Sequence, residues 1–183
     1  MTSRIRLFDP VERFVAGTVG QPGERTFFIQ ARTGSRLISV SLEKTQVQAL
    51  SERLTYMIRE MKQSDPTIVI QRLTRDDAPL ETPIEEEFRI GVIGIAFDSS
   101  RELIQIDLKA VSEGDEEEPE FIDVDDLTGD QDIMRVLISP SMADQFAKRA
   151  MSVVSAGRLP CPFCGGPIDM RGHLCPRANG YRR

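Results

Sequence analysis

The chain has 183 residues, 40% hydrophobic and 28% charged, with a net charge of −6. That suits one domain, or one domain with a small appendage, at roughly 100–200 residues per domain, and it leaves enough apolar surface for a core. No run approaches the ~18 apolar residues of a membrane helix, and the N-terminus MTSRIRLFDPVERF lacks the apolar stretch of a secretion signal, so a cytoplasmic protein without a membrane partner is expected.

The net charge conceals a segregation. Residues 1–63 hold 10 Lys/Arg against 6 Asp/Glu, residues 64–133 hold 5 against 21, and residues 134–183 hold 8 against 2. An acidic middle between two basic ends can fold back on them or steer partners, since exposed charges act over ~8 Å in physiological salt. The run GDEEEPE by itself reads as a solvated loop.

RIRLF, VERFVAGTV, RTFFIQAR and RLISVSL are rich in β-branched and aromatic residues and are separated by turn chemistry at DP, GQPGE and RTGS. They predict a meander of three or four antiparallel strands. EKTQVQALSERLTYMIREMK follows, with Val47, Leu50, Leu54, Met57, Ile58 and Met61 at helical spacing. It predicts an amphipathic helix, with Ser41 placed to cap it and Glu43 near its positive end. The stretch QSDPTIVIQRLTRDDAPLETP is a connector with a short strand expected at Thr67–Ile70.

EEEFRIGVIGIAFD and RELIQIDLKAV predict a strand pair turning at Asp98-Ser99-Ser100. In the second strand Ile104, Ile106 and Leu108 alternate with Gln105 and Asp107, as one buried face requires. A weak strand FIDV and the strand DIMRVLI come after the acidic stretch. The helix SPSMADQFAKRAMSVVSAG has Ser139 as cap, Pro140 in its first turn and a stripe of Met142, Phe146, Ala150, Val153 and Val154, and it ends at Gly157. LISVSL at 37–42 and LISPSM at 137–142 agree at four of six positions, both at a strand-to-helix junction. This shared context suggests an internal duplication.

All three cysteines and the lone histidine fall within CPFCGGPIDMRGHLC, residues 161–175. In a reducing compartment such a cluster binds metal or does redox chemistry. CPFC resembles a glutaredoxin dithiol, but that chemistry sets its first cysteine at a helix N-terminus. Gly165, Gly166 and Pro167 are poor helix material, and no strand leads in. Structural zinc fits better. Cys161 and Cys164 are two residues apart with a glycine following, and His173 and Cys175 return eight residues later, giving a closed Cys₃His set. The first half resembles the CPxCG knuckle of zinc ribbons, whereas His-x-Cys departs from their second half. A segment this short has almost no core, so metal binding would supply its folding energy, ~10–16 kcal/mol in zinc-finger peptides. Four protein ligands leave no open position for a catalytic water.

With His173 on the metal, no histidine is left for a triad or general base. Walker and dinucleotide loops are missing, and GVIGIA at Gly91–Ala96 reads as close backbone packing within a strand. The Asp cluster Asp123–Asp132 fails EF-hand spacing, and Glu85–Glu87 reads as an exposed strand entrance. Arg13, Arg25, Arg32 and Arg36 beside Phe14, Phe27 and Phe28, or a tail with Arg158, Arg171, Arg177, Arg182 and Arg183, could hold a single-stranded nucleic acid. The strands-then-helix pattern is similar in outline to the repeated units of Whirly and PUR proteins.

Taken whole, the chain resembles an uncharacterised actinobacterial family of unknown function. The likeness rests on FDPVERFVAGTVGQPGERTFFIQA, LISVSLEK, LISPSMADQFAKRA and CPFCGGPIDMRGHLCPRANGYRR, and it implies no reaction and no catalytic residue.

The expectation is therefore an α+β domain over residues 1–157, in two layers. It would be built from related strand-meander-plus-helix halves at about 1–63 and 84–157, with a zinc-knuckle-like tail at 158–183. Its metal ligands would be Cys161, Cys164, His173 and Cys175. The leading function is a non-enzymatic zinc-binding adaptor whose tail and acidic middle dock an unidentified protein. Single-stranded nucleic-acid binding and an enzyme with a carboxylate site between the halves are the alternatives.

Overall fold

The computed structural model describes residues 4–111, 121–122, 124, 130–157, 161–164, 168, 175 and 177. Its strands are β1 (Ile5–Phe8), β2 (Arg13–Val19), β3 (Thr26–Thr33), β4 (Arg36–Leu42), β5 (Glu86–Asp98), β6 (Leu103–Ala110), β7 (Phe121–Ile122) and β8 (Ile133–Ile138). Two helices, α1 (Lys44–Ser64) and α2 (Pro140–Ser155), follow β4 and β8. The fold is mixed α+β. Seven strands lie on one path, β1-β8-β6-β5-β4-β3-β2, and β7 pairs with β5 off that path.

β2, β3 and β4 form an antiparallel meander, and β5, β6 and β8 form another. The two meet where β4 runs parallel to β5, over Ser39↔Glu86 and Ser41↔Arg89. The first strand departs from the expected meander, because β1 crosses to the far edge and lies parallel to β8, Ile5 opposite Ile133. Turn chemistry at Asp9-Pro10 ends a strand but does not choose its neighbour. The placement forces the sheet to coil. Six strand spacings of ~4.8 Å would set flat edges ~29 Å apart, whereas the link from Phe8 to Arg13 spans at most ~18 Å. Accumulated strand twist brings the edges together. Thr33 Oγ1 donates to the Pro10 carbonyl at 2.8 Å, Arg36 donates to the Leu7 carbonyl at 2.9 Å, and the Arg36 guanidinium stacks over Phe8.

Both helices pack against one face of this sheet. Val47, Leu50, Leu54, Ile58 and Met61 of α1 and Ala143, Phe146, Ala147, Ala150 and Val154 of α2 are buried with Ile29, Val40, Ile93, Ile106 and Met134 from the strands. The helices touch through Ser51, whose hydroxyl donates to the Ala147 carbonyl at 2.8 Å. Ser139 caps α2, accepting from the Met142 N–H at 3.2 Å, with Pro140 opening the helix. Ser41 does not cap α1. It stays in β4, paired with Phe28 and Arg89. Glu43 takes the cap position in an extended conformation and donates its N–H to the Gln46 side chain at 2.9 Å.

The connector between α1 and β5 contains no strand. Ile68 and Ile70 pack on the core while Val69 is exposed. This alternation imitates a strand, but Asp65 turns the chain by accepting from Thr67 N–H and Oγ1. The connector instead covers the second face of the first meander, where Leu80 packs on Val15 and Phe28. At Gly91 a bulge interrupts the β5–β6 register, and an added Cβ would lie 2.9 Å from Val111 Cα. Close backbone packing there is as the sequence suggested.

The segregated charges neutralise one another in space. Arg6 pairs with Glu87 and Asp132, Arg32 with Glu81, and Arg135 with the fully buried Asp107. The densest set is a clasp on β2. Arg13 grips Asp76 through Nε at 2.6 Å and Nη2 at 3.1 Å and also reaches Glu81. Arg149 of α2, only 7% exposed, donates to the Ala16 carbonyl at 2.7 Å and to the main chain and carboxylate of Asp76. Beside it Phe14 and Phe146 stack at 4.5 Å. The clasp fixes α2, and α2 leads into the cysteine segment.

Candidate metal centre

Three sulfurs converge beyond α2. Cys161, Cys164 and Cys175 place their Sγ atoms within 4.8 Å of one another, and those of Cys161 and Cys175 are 3.8 Å apart. Cys161 and Cys175 are buried, Cys164 is partly exposed, and none of the three is in a disulfide.

The spacing tests the fit to a metal. A disulfide needs sulfurs ~2.05 Å apart. Thiolates ~2.3 Å from a tetrahedral zinc sit ~3.8 Å from each other, which is the Cys161–Cys175 separation. The backbone at Cys161 supports the same reading. A Cys-x-x-Cys turn aims the amides of its third and fourth residues back at the first sulfur, and the N–H groups of Cys164 and Phe163 both hydrogen-bond to Cys161. Burial pushes the Cys161 thiol up. The amides of Cys164 and Phe163, with the side chains of Cys175 and Cys164, outweigh it, so the thiol lies below its ordinary value. Thiolate is the form that binds metal.

Arg177, two residues past the third cysteine, donates to the Phe163 carbonyl at 3.1 Å and ties the second limb to the first. No local signal marks this contact, because its partners are 14 residues apart. Phe163 itself is 64% exposed. The three cysteines can therefore hold a metal ion together. His173, the fourth expected ligand, lies outside the described residues, as do most of the tail and most of the acidic stretch 113–132.

A family model described as a protein of unknown function (DUF3090) matches residues 6–175, from β1 to the third cysteine. The chain belongs to the DUF3090 family. Neither the curated proteins nor the solved structures contain a match.

Elsewhere in this DUF3090 chain, the strand residues considered for stacking on bases are not available as a surface. Phe14, Phe27 and Phe28 are 2%, 6% and 7% exposed. Arg13 and Arg32 are paired with carboxylates, and Arg36 covers Phe8. Among the described residues, the carboxyl groups that shift clearly move down, each held ionised by its donors: Asp9 by Arg101, Asp65 by Thr67, Asp76 by Arg13, Asp98 by Ser100 and Asp132 by Arg6. Among the described residues no helix is long and apolar enough to cross a membrane.

Proposed function

We propose that this protein is a non-enzymatic, cytoplasmic adaptor. Its C-terminal segment is a structural zinc knuckle held by Cys161, Cys164, Cys175 and His173, and it docks a partner protein. The observation that carries the reading is the set of three thiols within 4.8 Å, with two backbone amides already aimed at Cys161. His173 completes the tetrahedron from sequence spacing, and a closed ligand set gives the ion a structural role. The exposed Phe163 ring, on a carbonyl anchored by Arg177, is a fitting contact for the partner, since aromatic side chains and arginine are enriched at binding hot spots. The similar strand-then-helix halves are read as a duplication that built the body carrying this tail.

Native mass spectrometry of protein purified without chelators tests the metal, with one zinc per chain expected. The ion should be lost from Cys161→Ser and Cys164→Ser and held more weakly by His173→Ala. A metal-free wild-type chain would refute the proposal. Docking is tested by affinity capture with wild type and with Cys161→Ser/Cys164→Ser. Equal recovery of every partner would remove the knuckle from the role.

A second reading, single-stranded nucleic-acid binding, draws support from the exposed Phe163 ring, which can stack a base, while Arg177 on its carbonyl supplies a positive charge nearby. It predicts affinity for oligothymidylate that falls steeply with salt and is abolished in Phe163→Ala.

A further inference from the structure

We infer that a cavity beside the C-terminal half of α1 binds a small organic ammonium ion, an apolar body carrying one protonated amine. The cavity, about 390 Å³, is lined by Met57, Glu60, Met61 and Ser64 of α1, by Asp65 and Ile68 of the turn that follows, and by Phe97, Ser99 and Glu102 of the β5–β6 hairpin. Its volume falls in the range of small-molecule sites, ~300–1,000 Å³, and it does not involve the cysteines.

The floor is apolar and built into the fold. Met57 and Met61 stand one turn apart on the same face of α1. Phe97 pairs across the hairpin with the fully buried Ile104 and so shares the face of the sheet that the helices cover. Met61 is buried, and Met57, Ile68 and Phe97 are half-buried and packed on the main core cluster. The turn that brings Ile68 into the wall is closed by its N–H on the Asp65 carbonyl at 3.2 Å. Two unbranched thioethers beside a ring make a surface that adapts to the shape of an apolar guest.

The rim carries the opposite character. Glu60, Asp65 and Glu102 contribute three carboxylates, and neither lysine nor arginine is among the lining residues. Over the rest of the body, acids such as Asp76, Asp107 and Asp132 are turned onto arginines. The donors to this rim are neutral. Glu60 accepts from the Tyr56 hydroxyl at 2.7 Å, and Asp65 accepts from the Thr67 N–H and hydroxyl. Arg101, next to Glu102 in the chain, is committed to Asp9. Glu102 has no hydrogen bond or ion pair among the described residues, and its φ of +54° is one that glycine adopts more readily. The turn itself therefore gives no reason for a glutamate at this position.

An apolar floor under an uncompensated negative rim is complementary to a guest with the reverse pattern. A divalent cation needs a shell of six or more oxygens, which the methionines and Phe97 do not provide. A partner helix is held by anchors along a groove at i, i+3 or i+4, and i+7, whereas this is a single cavity. The rim repels anions. One ammonium at the carboxylates, with its hydrocarbon on Met57, Met61 and Phe97, matches both walls.

The test is calorimetric titration of the full chain with hexylammonium, hexanol and hexanoate in low-salt buffer at neutral pH. One saturable site is expected for hexylammonium and none for hexanoate. Hexanol should bind about tenfold more weakly than hexylammonium, in line with the loss of a charge-assisted hydrogen bond. Glu102→Gln should weaken hexylammonium about tenfold and leave hexanol unchanged. Glu102→Gly should weaken it equally without lowering the melting temperature, since glycine suits the left-handed backbone. Ser99→Lys, which adds a cation to an exposed position on the rim, should weaken it as well. Glu52→Gln, about 12 Å back from Glu60 along α1 at 1.5 Å per residue, should leave binding unaffected. No saturable binding up to ~10 mM hexylammonium, equal affinity for hexanol, equal affinity in all variants, displacement by an equal concentration of magnesium, or tighter binding of a basic amphipathic peptide would each overturn the proposal.

Discussion

Removing the Asp76 carboxylate is the sharpest perturbation of the body. It receives Arg13 at 2.6 and 3.1 Å, Arg149 at 3.3 Å and the Ala78 N–H at 3.0 Å. The Arg13 and Arg149 side chains are 12% and 8% exposed. In Asp76→Ala two nearly buried guanidinium groups lose their counter-charge, a class of change that costs ~3–5 kcal/mol. Arg13 keeps Glu81 and the Ala78 and Pro79 carbonyls, and Arg149 keeps the Ala16 carbonyl. The low end therefore applies, about 3 kcal/mol. Asp76→Asn retains an acceptor and should cost about 2 kcal/mol. At ~2–4 °C per kcal/mol for a chain of this size, Asp76→Ala lowers the melting temperature by roughly 6–12 °C.

Acid sensitivity gives a second handle on the same group. Arg13 holds the Asp76 carboxyl below its ordinary value, against the opposing pull of burial. A carboxyl with a depressed folded pKa stabilises fully above the unfolded value, ~3.9, and loses that contribution as the pH falls from there through the folded pKa. Urea titrations of wild type and Asp76→Asn should differ at pH 7, and the difference should shrink at pH 3. A cost below about 1 kcal/mol for Asp76→Ala, or a wild-type-to-Asn gap that does not narrow in acid, would refute the clasp.

Three further changes test separate parts of the fold. Gly17→Ala places a Cβ 2.6 Å from Leu80 Cγ and should destabilise by ~1–3 kcal/mol in a chemical melt; the shortened partner in Gly17→Ala/Leu80→Ala should recover part of that loss. Ser139→Ala removes the acceptor that caps α2 and should cost about 1 kcal/mol in the same assay. Cys164→Ser should abolish zinc binding yet leave the urea midpoint of the α+β body in place, because the main core cluster contains none of the cysteines; a coincident loss of both would contradict their separation.

What could be read in the chain was local. The α2 cap and its Pro140, the β5–β6 hairpin around Asp98, and the core stripe of α1 each depend on residues a few positions apart. The cysteine cluster was legible for the same reason, since all three sulfurs fall within residues 161–175. The elements that escaped are set by distant partners. β1 reads like any other strand, and its pairing with β8 is decided more than 120 residues away. Arg149 reads as a solvated helix residue, yet it is buried because the Ala16 carbonyl of β2 and Asp76 await it across 133 and 73 residues. The Ser41 misassignment has a similar origin. Pairing with β3 and β5 carried β4 further than local capping preference indicated.

The charge segregation then bears on function in a way its sequence pattern does not. An acidic middle segment invites a model of long-range attraction, but among the described residues the carboxylates of Asp76, Glu81, Glu87, Asp107 and Asp132 are turned inward onto arginines of the two basic ends. These pairs fix the coil of the sheet and the seat of α2, and they leave that part of the segment little field to project. A partner of the body must therefore be recognised where the neutralisation is incomplete. Arg25 and Lys44, near Gly157 just past the end of α2, mark such a place.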